Sequence, residues 1–182
     1  LVDTALRIQE ERQFEQGDLW RKFCGADPDR AFRGLRVQAD GGVWMAETWR
    51  CLLWATSDSD DSGLLAEIAD TFDLMPAELF EALLGTLADW IRRQRVRLGA
   101  RFWPLWDKLA ALSYATPAAA EDAGRAGPDD VDALNRPAGV LAWAAMEQLV
   151  VAARSAGAGL GPEFEARFTL LARAPGAAGL EA

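Results

Sequence analysis

Five arginines, Arg92, Arg93, Arg95, Arg97 and Arg101, form the one basic run in the sequence and are its first candidates for chemistry. Guanidinium groups at that density suit phosphate, nucleotide or nucleic acid. The spacing also has a structural explanation, which is preferred. The run falls in the last turns of a long expected helix, where each cation opposes the negative end of the dipole and contributes about 0.3–1 kcal/mol. Two tryptophans at expected helix entrances, Trp44 and Trp103, are candidates for a partly exposed aromatic binding surface. The string Asn135-Arg136-Pro137-Ala138-Gly139 is the most distinctive local motif. Asn135 can cap a helix there and Gly139 permits close approach of another backbone, so Asn135 and Arg136 mark either a packing corner or a ligand site. The packing corner is preferred.

Other chemistries lack their residues. Histidine is absent, which removes histidine acid/base catalysis, Ser-His-Asp and Cys-His nucleophiles, and the commonest zinc ligand. Cys24 and Cys51 are the only cysteines. Both sit in apolar helical stretches and read as buried thiols; a disulfide between them requires their helices to pack closely. Two cysteines without histidine do not make a structural zinc site. Asp58, Asp60 and Asp61 resemble the start of a calcium loop, but no glutamate follows at its closing position, so a solvated loop is expected. Neither a P-loop nor a dinucleotide fingerprint is present. No catalytic residue, metal site or cofactor is therefore assigned. An enzyme working through paired carboxylates ranks last among the readings, because no Asp or Glu falls in a setting that reads as both buried and paired.

Charge and composition narrow the partners. The 182 residues carry a net charge of −9 and are 51% hydrophobic. That composition is globular, and the acidic balance disfavours general nucleic-acid binding and docking on an anionic membrane. The richest apolar stretch, Val140 to Ala153, is interrupted by Glu147 and Gln148 and falls short of the roughly 20 residues that span a bilayer. No basic-then-apolar leader is visible, and a cytoplasmic location is expected. The chain opens on Leu1, and the expectation is an excised piece of a larger protein.

The elements that must position these residues read as helices throughout. Ala, Leu, Arg and Glu dominate, whereas strand formers are sparse. A first helix is expected over Val2–Gln16, stopped at Gly17-Asp18. A short one follows, capped by Asp18 and carrying Leu19, Trp20, Phe23 and Cys24. Asp27-Pro28 opens another with Phe32 and Leu35, ending at Asp40-Gly41-Gly42. Met45, Trp49, Leu52, Leu53 and Thr56 follow helical spacing, and Cys51 and Trp54 widen that stripe to more than one side. After a loop at Ser57–Gly63 come Leu64, Leu65, Ile68 and Phe72.

Pro76 opens the longest expected helix, Ala77–Leu98, with Leu79, Phe80, Leu83, Leu84, Leu87, Trp90 and Ile91 facing the core and Gly99 ending it. Pro104 begins the next, with Leu105, Trp106, Leu109 and Leu112. Thr116–Asp132 is a composition break, read as a long connection. Asn135 starts a helix with Leu141, Ala145 and Leu149 in one row and Trp143, Met146 and Val150 in the next. Gly157–Gly161 breaks it, and Pro162 begins a last helix with Phe164, Phe168 and Leu171. The fold class is all-α: antiparallel helix pairs stacked as a HEAT-like α-solenoid or an irregular helical bundle. The expected domains are a repeat-like region over 1–116, a linker over 117–134, a C-terminal helical pair over 135–176 packing on the first region, and a tail over 177–182.

Two strings carry a resemblance. Leu134-Asn135-Arg136-Pro137-Ala138-Gly139-Val140-Leu141, followed by a helix and Gly159-Leu160, is one. Gln16-Gly17-Asp18-Leu19-Trp20-Arg21-Lys22-Phe23 leading into Asp27-Pro28 is the other. Both resemble a bacterial helical domain of unknown function found downstream of sirtuin-like domains, and the similarity covers nearly the whole chain. The commoner form of the first string has His where this chain has Arg136, so no chemical role carries to that position. The resemblance implies a parent protein with an upstream NAD-consuming, sirtuin-like domain in anti-phage defence. None of the sirtuin-like cofactor or catalytic residues lies in this chain.

The expected function is a non-catalytic interaction or regulatory module. Its partner would be another protein or other domains of the same chain, with an oligomer of the parent compatible and no membrane contact. The alternative is a phosphate- or nucleic-acid-sensing element using Arg92 to Arg101.

Overall fold

In a computed structural model of the chain, residues 17–115, 136–156, 165–167 and 169 are described. The described residues are helical and contain no strand. They divide into two compact units, one through Thr86 and one from Leu87 onward. Among them no helix is long and apolar enough to cross a membrane. The expectations for Val2–Gln16 and Thr116–Asp132 fall outside the described residues.

In the first unit, α1 covers 17–26. Gly17 and Asp18 already have helical backbone, so Asp18 is not a cap. Its carboxylate pairs instead with Lys22 one turn on, at 2.7 Å. That pair and the Lys22 hydrogen bond hold the Asp18 carboxyl below its usual pKa. Asp27 opens α2, Pro28–Asp40, as the sequence predicts: its side chain accepts the Arg30 N–H and Pro28 takes the first helical position. Asp27→Ala is expected to cost about 1 kcal/mol, read from a urea unfolding midpoint. The helix ends at Gly41-Gly42, where Gly42 has φ +76°. No atom crowds a Cβ built there, so glycine is required by backbone conformation and not by space.

Helix α3, Ala46–Ala55, buries Trp49, Cys51, Leu52 and Leu53. The expected second side is only half present: Cys51 is buried, but Trp54 is 54% exposed and Met45 lies exposed at the N-cap. The C-terminal carbonyls of α3 accept hydrogen bonds from Thr56 Oγ1 and Ser57 Oγ, which explains two buried hydroxyls. Asp61 then caps α4, Ser62–Thr71, accepting from the N–H groups of Gly63 and Leu64 at 3.0 Å. The acidic triplet thus contributes a helix cap. Leu64, Leu65, Ile68 and Phe72 are all buried, as their spacing requires.

Specific contacts tie the helices of this unit. Trp20 Nε1 donates to the Thr48 carbonyl at 3.0 Å, joining α1 to α3. Phe32 of α2 meets Trp49 edge-on at 6.5 Å. Arg36 of α2 donates to Thr71 Oγ1 of α4 at 3.1 Å. A 3-10 turn, Phe72–Leu74, leads to α5, Ala77–Ala82, and Phe72 packs edge-on against Phe80.

The long helix expected over Ala77–Leu98 is interrupted. Leu83 is a turn, and α6 runs Leu84–Leu98. No proline sits at the break, but Gly85, in the first turn of α6, weakens the helix beside it. The Ala82 carbonyl, freed from the helical ladder, accepts instead from Arg50 Nη2 of α3 at 3.2 Å. A partner 32 positions away thus satisfies a group that a continuous helix would satisfy locally. Leu83 is itself fully buried, whereas Leu84 is only half-buried.

In the second unit, α6 buries Leu87, Ala88, Trp90, Ile91, Gln94 and Leu98. It ends where Gly99 takes φ +53° and opens a 3-10 turn, Gly99–Arg101. Helix α7, Phe102–Ala115, follows, with Pro104 inside its first turn. Helix α8 is Pro137–Ala156. Leu141, Ala144, Ala145 and Leu149 form its buried row. The Trp106 ring is fully buried, and its Nε1 donates to the Leu141 carbonyl at 2.8 Å, joining α7 to α8. Gln148 Nε2 donates to the Arg95 carbonyl at 2.7 Å, joining α8 to α6.

Candidate functional site

Acidic side chains pair with three arginines of the basic run. Asp89, one turn earlier on α6, takes Arg92 at 2.8 Å and Arg93 at 2.9 Å. Burial pushes the Asp89 carboxyl up, but the hydrogen bonds and charges of both arginines outweigh it and its pKa lies below the usual value. Stability from this cluster is therefore present at neutral pH and lost as pH falls through the carboxylate range. Arg95 Nε lies 3.1 Å from Glu147 Oε2 of α8. That contact is a close charge pair without hydrogen-bond alignment. The Arg95 Nη1 donates to the Arg92 carbonyl at 3.0 Å. Arg97 and Arg101 are exposed, on the last turn of α6 and in the following 3-10 turn.

Asp89 is legible from the sequence, since it precedes Arg92 and Arg93 by three and four positions. Glu147 is not, because only the packing of α8 brings it to Arg95. The same packing places the Arg92 guanidinium 5.9 Å from the Trp143 ring centroid, within cation–π range. Trp143 is 49% exposed. It shares the row expected beside Leu141, Ala145 and Leu149 with Met146, which is half-buried, and Val150, which is exposed. A 20-residue helix in contact with neighbours on one side leaves its other row outside.

Both candidate tryptophans are half-buried. Trp44 stacks on Trp49 in the first unit, centroids 5.4 Å apart. Trp103, in the second, meets Phe102 edge-on at 4.9 Å and Trp106 edge-on at 5.8 Å. Arg136 is half-buried, and its carbonyl accepts the first α8 hydrogen bond, from Val140. Asn135 lies outside the described residues. The structure brings Arg92 to Trp143 and Arg95 to Glu147. Trp44 belongs to the other unit.

Both cysteines are free and buried, as their setting implies. Burial, with a smaller contribution from Cys51, pushes the Cys24 thiol up to about 12 from 9.0. A thiol so protonated is a poor nucleophile. Native protein at pH 8 is expected to leave Cys24 unlabelled by a thiol-specific disulfide reagent, with both cysteines reacting in denaturant. Rapid native labelling of Cys24 would show that the thiol is accessible and ionised. Because the folded pKa is raised, the thiol's contribution to stability is full below the unfolded value of 9.0 and is lost as pH rises through about 12. Among the described residues no group of three His, Cys, Asp or Glu side chains is placed to hold a metal.

Comparison with protein families, with curated proteins and with solved structures finds no match to this chain.

Proposed function

We propose that the chain is a non-catalytic helical interaction module of a larger bacterial protein, docking on a sirtuin-like NAD-consuming domain of the same parent in anti-phage defence. The observation that carries this reading is the outward row of α8. Trp143, Val150 and Val151 are 49%, 44% and 48% exposed, while Leu141, Ala145 and Leu149 on the same helix are buried. Positions i, i+7 and i+8 share one helical face, so the three form a stripe, and apolar stripes left outside a core mark surfaces that meet partners. A half-exposed tryptophan with an arginine over its ring has the composition of an interface anchor. The string that resembles sirtuin-associated domains runs directly into this helix.

The test is binding of the parent's sirtuin-like domain to this chain in trans. Trp143→Ala with Val150→Asp is expected to weaken binding at least ~10-fold with unchanged circular dichroism, since both side chains are half exposed. Failure of the wild-type chain to bind that domain, or NAD turnover by the chain alone, would sink the reading.

The phosphate- or nucleic-acid-sensing alternative is less well supported, because Asp89 and Glu147 hold three of the five arginines. Labelled single- and double-stranded DNA or RNA is expected to show no salt-dependent binding at low ionic strength. Binding that weakens with salt and is lost in Arg93→Ala and Arg97→Ala would favour the alternative.

A further inference from the structure

Trp103 and Asp107 lie four residues apart on α7, so an indole face and a carboxylate share one side of a rigid helix. The indole is held on two sides, by Phe102 and Trp106. Trp106 is itself fixed by its bond to the Leu141 carbonyl. Into this setting comes Arg167, from 60 positions away in sequence. Its guanidinium carbon sits 4.5 Å from the Trp103 ring centroid. Its Nε and Nη2 donate to the two Asp107 carboxylate oxygens at 2.9 and 2.8 Å. A planar fork stacked on an aromatic face and paired at two points with a carboxylate is a geometry that arginine satisfies and lysine does not.

We propose that Trp103 and Asp107 form an arginine-recognition site whose resident ligand is the chain's own Arg167, and that an arginine of a partner protein exchanges with it. Three observations support exchange. The receptor groups lie on one helix, and the indole is packed by Phe102 and Trp106 independently of Arg167. Among the described residues of the incoming segment, Glu165, Ala166 and Thr169 are exposed, whereas the Arg167 side chain is only 19% exposed and meets α7. The Asp107 side chain remains 47% exposed, which leaves the carboxylate open to an incoming cation. A net charge of −9 attracts a basic, arginine-bearing segment. The inference rests on the chain being a protein-binding module but uses a surface other than the outer row of α8.

The test follows the Trp103 indole N–H by NMR in the full chain, assigned by its loss in Trp103→Phe. The probe is N-acetyl-arginine amide, with N-acetyl-lysine amide as control. Arg167→Ala is expected to show a saturable indole shift at ~10-fold or more lower probe concentration than wild type, where the tethered Arg167 competes. Adding Asp107→Asn is expected to weaken binding ~10-fold, and the lysine probe should bind more weakly than arginine. Should Arg167→Ala lose its helical circular dichroism, Arg167→Lys, which keeps the charge but not the fork, replaces it. No saturable shift in either variant overturns the proposal, as does equal binding of arginine and lysine probes. Trp143→Ala is expected to leave this titration unchanged, so its outcome is separate from docking through α8.

Discussion

Trp106→Ala is expected to lower the stability of the second unit by about 3–5 kcal/mol, the usual cost of emptying a large aromatic site in a core. Trp106 is fully buried and bonds across to α8 through the Leu141 carbonyl. With total stabilities of about 5–15 kcal/mol, a loss of that size brings a domain close to unfolding at ordinary temperature. Trp106→Phe removes the donor with only part of the buried ring. Phenylalanine keeps a six-membered ring but loses the donor and the rest of the indole volume, so Trp106→Phe is expected to cost about 2 kcal/mol. Urea unfolding followed by circular dichroism measures both. Equal midpoints for Trp106→Ala and wild type would show that the ring is not core.

In the first unit the largest effect is expected at Trp49. Its ring is 1% exposed and contacts both Phe32 and Trp44. Trp49→Ala should cost about 3–5 kcal/mol, whereas Trp44→Ala, which removes a half-buried ring from the outside of the pair, should cost about 1 kcal/mol. The double variant should fall short of the sum by about 0.5–1.5 kcal/mol, the coupling of two stacked rings. Unfolding midpoints of the four proteins close the cycle. A Trp44→Ala cost equal to that of Trp49→Ala would make Trp44 a core residue and remove it from any binding surface.

The pair illustrates how much of the site is legible in the chain. Helical spacing assigns Trp49, Trp90 and Trp106 to the interior, and all three are buried. Spacing also offers Trp44 and Trp103 as entrance residues, and both are half-buried. It fails for Trp54, which widens a stripe expected to be buried but is 54% exposed, and it leaves open the side of Trp143, which is 49% exposed. A periodic pattern states which residues share a helical face. It does not state how wide a face the neighbours cover.

The arginine run shows a second limit. Asp89 is a local partner, fixed by three- and four-residue spacing, and its ion pairs follow from α6 alone. Glu147 and Asp107 are long-range partners. Asp107 meets Arg167 across 60 positions, and no sequence rule pairs them. Aspartates and arginines are common, and only the path of the backbone selects which of them come within 3 Å.

Local physics therefore determined the all-helical class, most helix limits and the identity of the inner faces. Caps such as Asp27, conformational needs such as the positive φ of Gly42 and Gly99, and apolar spacing all act within about one turn. Tertiary structure alone decided the partner at the Leu83 break, where Arg50 takes the freed Ala82 carbonyl. It alone also exposed the outer row of α8 and seated Arg167 on Trp103. Each of these depends on groups distant in sequence, and their energies exist only once the chain has folded back on itself.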